Sequence, residues 1–169
     1  GELVGNLAKS LFPKGIDLPT DYKTNIEKTK EALKENKPLF EAGFQVNNLF
    51  SRADILIPIK DKFNIIEVKS GTQVKDINIH DVAFQKYVYE ASGIKINKSF
   101  LMHLNKDYVK EDSLNVKKLF KKEDISEEVS KITNIKENIQ DFQRIINLKE
   151  PPNPSVLTSK QIKDGHHDC

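Results

Sequence analysis

The chain has 169 residues, 37% hydrophobic and 31% charged, with a formal net charge of +2, the balance of one soluble globular domain with a core of its own. So mild a charge is no argument for nucleic-acid binding, and any such contact has to come from local lysine clusters. The one cysteine, Cys169, excludes a disulfide framework and fits a reducing cytoplasm. No apolar run approaches the length of a membrane span and nothing at the N-terminus reads as a signal peptide, so no membrane partner is expected.

Taken in order, the chain opens on an amphipathic helix over 2–11, with Leu3, Leu7 and Leu11 on one face and Val4 beside them. Phe12-Pro13-Lys14-Gly15 ends it. Thr24-Asn25-Ile26-Glu27 has the form of a capping box and opens a helix to about Asn36. A single strand is expected over 39–50, with Phe40, Ala42 and Phe44 alternating against Leu39, Glu41 and Gly43. Strands over 51–59 and 63–70 follow, then a polar loop over 71–78, a helix over 79–92 and a strand over 94–104. Lys117-Lys118 and Lys121-Lys122 flank Leu119-Phe120, a basic patch that reads first as a solvated turn and second as a DNA backbone contact. The longest helix is expected over 124–147, where Ile125, Val129, Ile132, Ile135, Ile139, Phe142 and Ile146 fall at three- and four-residue steps. Pro151-Pro152-Asn153-Pro154 stops it. Residues 1–154 read as one domain and 155–169 as a polar tail without periodicity. The chain starts with Gly1 inside a helical pattern, so a piece of a longer protein is expected, with its other domains as possible partners. Strand, strand, strand, helix, strand implies an α/β fold, a mixed central sheet flanked by helices.

Charges stand where strand patterns call for apolar residues. In the run over 63–69, Phe63, Ile65, Glu67 and Lys69 share a face, so a carboxylate and an ammonium lie side by side at the end of an apolar row. Asp54 opens the preceding run. If the two runs pair as a hairpin across Lys60-Asp61-Lys62, Asp54 comes to the same strand end. Two carboxylates make a hard oxygen site suited to Mg²⁺ or Mn²⁺, and a lysine beside them can hold a phosphate or position a water. On the next helix Gln85 and Tyr89 are four residues apart and share a face, with Asp81 one turn earlier.

Asp54, Glu67-Val68-Lys69 and the Gln85-x-x-x-Tyr89 pair resemble the PD-(D/E)XK nuclease superfamily in its RecB-like branch. The longer run from Glu67-Val68-Lys69-Ser70-Gly71-Thr72 through Asp81-Val82-Ala83-Phe84-Gln85-Lys86-Tyr87 is similar to an uncharacterised bacterial family of RecB-like nucleases. The resemblance implies a restriction-endonuclease-like core and divalent-metal-dependent hydrolysis of phosphodiester bonds in DNA. By the same resemblance Asp54 and Glu67 bind the metal with the backbone carbonyl of Val68, Lys69 acts on the chemical step, and Gln85 and Tyr89 support the site. Glu41 stands where related nucleases keep an acidic residue near the metal. Two departures accompany these matches: Ala53 replaces the proline before Asp54, and Gly5 stands where the branch often carries a histidine. Gly165-His166-His167-Asp168-Cys169 lacks the spacing of a zinc site. An iron–sulfur cluster of the kind some RecB-like nucleases carry needs about four thiolates, so Cys169 could serve one only in a longer parent chain. The competing expectation is a nuclease-fold module without catalysis that binds DNA or a protein partner.

Overall fold

The computed structural model describes residues 1–135. The expected far part of the helix over 124–147, the proline stop after it, and the tail over 155–169 with Cys169 lie outside the described residues. In chain order the elements are α1 (Glu2–Lys9), β1 (Ile16–Asp17), α2 (Tyr22–Ala32) with a 3₁₀ turn at Leu33–Glu35, β2 (Leu39–Val46), β3 (Leu49–Ile59) and β4 (Lys62–Val68). Then come α3 (Asp76–Ala91), β5 (Ile96–Leu104), α4 (Val116–Leu119), β6 (Phe120–Asp124) and α5 (Ser126–Ser130).

The six strands form one mixed sheet in sequence order. β1 runs parallel to β2 and β4 parallel to β5, while the other neighbours are antiparallel. A parallel pair needs a crossover, and α2 and α3 supply the two. The fold is therefore α/β, with a mixed central sheet flanked by helices. One face carries Leu39, Ala42, Phe44, Ile65 and Leu101 beneath α2, α3 and α5. The other carries Phe40, Ile55, Ile66 and Met102 beneath α1 and α4. Among the described residues no helix is long and apolar enough to cross a membrane.

Several boundaries differ from the sequence reading, each for a local reason. The expected strand over 39–50 is a hairpin: Val46 pairs with Leu49, and Asn47 takes a left-handed φ of 55°, which asparagine tolerates better than most residues. Helix α2 is capped by Asp21 rather than Thr24. The Asp21 carboxylate accepts from the Thr24 backbone N–H at 3.2 Å and from its hydroxyl at 2.8 Å, and these bonds hold the Asp21 carboxyl below its usual range. Helix α3 starts three residues early, where the Lys75 N–H donates to Asn78 Oδ1 at 2.9 Å.

The expected helix over 124–147 does not begin at Asp124, which closes strand β6. Among the described residues Ser126–Ser130 is helical, the chain leaves the helix at Ile132 to Asn134, and Ile135 is helical again. The Ser99 N–H donates to Ser126 Oγ at 2.9 Å and the Ile125 N–H to Ser99 O at 2.9 Å, tying this corner to β5 instead. Lys121 and Lys122 lie on an edge strand rather than a solvated turn. β6 is fastened to β5 by its ladder and by the pair of buried His103 with Glu123.

Candidate active site

The ladder between β3 and β4 runs from Ile59 opposite Lys62 to Ile55 opposite Ile66, and there it stops. The next pair would set Asp54 against Glu67. Instead the strands part. β3 stays with β2, Ala53 opposite Ala42, and β4 stays with β5, Glu67 opposite Leu101 and Val68 opposite Met102. At this fork the Val68 N–H donates to Asp54 Oδ2 at 2.8 Å. A side-chain carboxylate thus takes the bond that a peptide carbonyl of the neighbouring strand would take in an unbroken ladder, and no buried donor is orphaned.

Glu67 is only 8% exposed. Its Oε2 accepts from Gln85 Nε2 at 3.0 Å. The Tyr89 hydroxyl donates to Gln85 Oε1 at 3.4 Å, which leaves its oxygen to accept from Ser51 Oγ, also at 3.4 Å. Gln85 and Tyr89 are buried, and their spacing of four brings both onto the face of α3 that meets the sheet. The Tyr89 ring packs against Phe44, centroids 4.9 Å apart. Lys69 lies one residue beyond β4, and its N–H still donates to Met102 O at 2.9 Å. Its ammonium sits 3.7 Å from Glu67 Oε2 and 3.7 Å from Asp81 Oδ2.

Glu41 lies on β2 across from Asp54 and holds φ at +65°, a region that L residues other than Gly, Asn and Asp enter at a cost. The strand's alternation reverses there: Leu39, Ala42 and Phe44 share one face while Phe40 takes the other. Helix α2 holds the bend. Asn25, fully buried, donates from Nδ2 to Glu41 O at 2.7 Å and to Pro19 O at 2.8 Å. Thr29 Oγ1 accepts from the Gly43 N–H at 3.1 Å. Glycine is required at position 43, because a Cβ would lie 2.0 Å from Asn25 Oδ1. Arg52 Nε stands 4.0 Å from Glu41 Oε2.

Asp54 and Glu41 line a cleft of about 180 Å³ between the sheet and α1, with Asn6, Lys9, Val68 and Ser70 on its walls. Burial, then the neighbouring Asp54 carboxylate, pushes the Glu67 carboxyl well above its ordinary value, against the opposing pull of Lys69 and Gln85. Burial and Asp54 raise Glu41 in the same way. Burial also raises the Tyr89 phenol, so this hydroxyl stays protonated and serves as a donor. Burial is the larger cause at both Glu67 and Glu41, and the neighbouring Asp54 carboxylate adds to it.

Among the described residues no group of three or more His, Cys, Asp and Glu side chains is gathered as a metal-ligand set. What meets is a pair, Asp54 in hydrogen-bonding contact with Glu67. Mg²⁺ is commonly held by one or two carboxylates, its other positions filled by water and substrate oxygens. Two carboxylate oxygen donors fit Mg²⁺ or Mn²⁺ better than a soft metal.

Asp54, Glu67, Lys69, Gln85 and Tyr89 thus come together, with Glu41 at the cleft wall. Sequence reasoning gave no part to Ser51, Asp81 or Asn25. A serine in a strand carries no signal of its own. Asp81 was visible as the residue one turn before Gln85, but its ion pair was not. Asn25 was absorbed into the supposed capping box.

No protein-family model matches the chain, and no curated protein matches it. Among solved structures the chain is similar to the one described as "Crystal structure of SSO0001", at 15% identity and a TM-score of 0.31, over 89% of this chain and 95% of that chain. A score of that size carries no argument about this protein.

Proposed function

We propose that this chain is a divalent-metal-dependent nuclease of the PD-(D/E)XK type, RecB-like branch, which hydrolyses phosphodiester bonds in DNA within the cytoplasm. The observation that carries the reading is the fork, where Asp54, on the wall of the cleft, meets Glu67 beside the Lys69 ammonium. Asp54 and Glu67 hold the cation, with the Val68 backbone carbonyl as a further ligand. When bound, Mg²⁺ or Mn²⁺ supplies a water of lowered pKa and positive charge for a phosphate oxygen. Lys69 keeps an ammonium where negative charge grows on the phosphate. Gln85 fixes the Glu67 carboxylate, and Tyr89 fixes Gln85. Burial beneath α3 holds this support rigid and dry.

The test is cleavage of linear and circular DNA with and without Mn²⁺, together with calorimetry of Mn²⁺ binding. Wild-type protein is expected to bind Mn²⁺ and cut. Asp54→Asn is expected to keep its fold and lose the metal, because an amide oxygen can still accept the Val68 N–H but brings no charge. Unchanged Mn²⁺ affinity in Asp54→Asn sinks the assignment. DNA bound but left intact would make the chain a binding module.

A further inference from the structure

We propose that Asp81 is a positioning residue that draws the Lys69 ammonium off Glu67 and so keeps Glu67 open to a divalent cation. The inference rests on the nuclease reading of the same site. Lys69 Nζ lies 3.7 Å from Glu67 and 3.7 Å from Asp81, so it is shared between two carboxylates rather than closed on either. Neither contact is within direct hydrogen-bonding distance. Gln85 Nε2 already donates a hydrogen bond to the same Glu67 oxygen. Asp81, Gln85 and Tyr89 fall at steps of four along α3. One face of one helix therefore acts on two successive same-face residues beyond the fork, fixing Glu67 through Gln85 and pulling on Lys69 through Asp81. The Asp81 side chain is 14% exposed and that of Lys69 is 35% exposed, so the lysine can move while its anchor is mostly held.

Without the Asp81 charge, Lys69 keeps Glu67 as its remaining ion-pair partner in this cluster. The ammonium then settles on the carboxylate that the cation needs, and the two compete. Asp81 thus acts on metal binding at one remove, through the ammonium that competes for Glu67.

The experiment is a double-mutant cycle read by Mn²⁺ calorimetry, with melting curves for each variant. Asp81→Asn is expected to weaken Mn²⁺ binding about tenfold, the lower end for a residue behind a ligand. Asp81→Glu, which restores the charge, is expected to stay within about threefold of wild type. In a Lys69→Gln background, Asp81→Asn should change the affinity less than about twofold, because its effect runs through Lys69. An equal loss with and without Lys69 would mean that Asp81 acts only through its own field, and the proposal fails. It fails too if Asp81→Asn binds like wild type. If Asp81→Asn does not fold, Asp81→Ser takes its place in the cycle. Wild-type protein that binds no Mn²⁺ sinks the nuclease reading and this inference with it, whereas wild-type binding with an insensitive cycle sinks the inference alone.

Discussion

The two faces of the sheet are covered unequally. One lies under α2, α3 and α5. There Ser51, Tyr89, Gln85 and Glu67 form a hydrogen-bonded chain through the core, each member satisfied by the next. The other lies under α1 and α4, helices of eight and four residues. A cleft opens there, walled by Glu41 and Asp54. Helix α1 is tethered by the Lys9–Asp17 ion pair at 3.0 Å, a surface contact worth at most about 1 kcal/mol. The difference teaches a division of labour. The thick face fixes the direction of the Glu67 carboxylate, and the thin face leaves open space beside Asp54 and Glu41. A fully buried pair would be inaccessible, and a fully exposed one would lack rigid support.

The comparison breaks first if the faces prove equally stiff. Leu101→Ala on the thick face is expected to cost about 2–5 kcal/mol, as for a fully buried leucine. Leu7→Ala, half-buried on α1, should cost only about 1 kcal/mol. Urea denaturation of both variants checks the ratio, and equal losses would show α1 to be as much core as α3. Next comes chemistry. If the nuclease reading holds, Lys69→Ala should keep Mn²⁺ yet lose about two to three powers of ten in DNA cleavage, since that reading gives the ammonium to the reacting charge rather than to the metal. Wild-type turnover in that variant would make Lys69 structural.

A smaller effect sharpens the electrostatics. Because the Glu67 carboxyl is raised above its ordinary value of 4.5, the folded chain binds a proton that the unfolded chain has released. Stability from this group is full below about pH 4.5 and is lost as pH rises through the folded-state value. The metal-free protein should therefore melt lower at pH 8 than at pH 5. Glu67→Gln should flatten the profile and raise stability at neutral pH by about 1 kcal/mol. The carboxyls that are lowered, Asp21 and Asp124, sit nearly or fully exposed and act below that window. A metal-free profile that rises toward pH 8 would contradict a raised Glu67 carboxyl. The smallest effect is at Glu41. Glu41→Gly should raise stability by about 0.5–1 kcal/mol, since glycine adopts a positive φ freely. Guanidinium midpoints decide it, and a destabilised glycine variant would show that φ +65° carries little strain here.

Much of the site was legible because side chains alternate regularly along β4. Placing Glu67 and Lys69 on one face and Asp54 across a short turn required only the period of two and the Lys60-Asp61 turn. The spacing of Gln85 and Tyr89 did the same for α3. Glu41 hid its part, because nothing in a glutamate announces a left-handed backbone; Asn25 and Thr29 impose that conformation from another element. The edge strand β6 was missed because Lys121, Lys122, Glu123 and Asp124 read as solvated surface. Charge is how an edge strand is kept from pairing with a stranger, so the same residues suit both readings. Asn47-Asn48 did carry a turn signal, and the apolar rhythm around it masked the hairpin.

The order of the strands has a consequence of its own. β1, α2, β2 and β3 form a parallel pair joined by a helix, then an antiparallel strand; β4, α3, β5 and β6 repeat that plan. The halves share a topology without a visible sequence repeat, and they meet along the seam between β3 and β4. Asp54 belongs to the first half, whereas Glu67, Lys69, Asp81, Gln85 and Tyr89 belong to the second. Chain cut at the Lys60-Asp61 turn would divide the site between two pieces, and neither alone would own both carboxylates. Reassembly of the seam is then the same event as assembly of the site, so the two pieces form a natural pair for complementation.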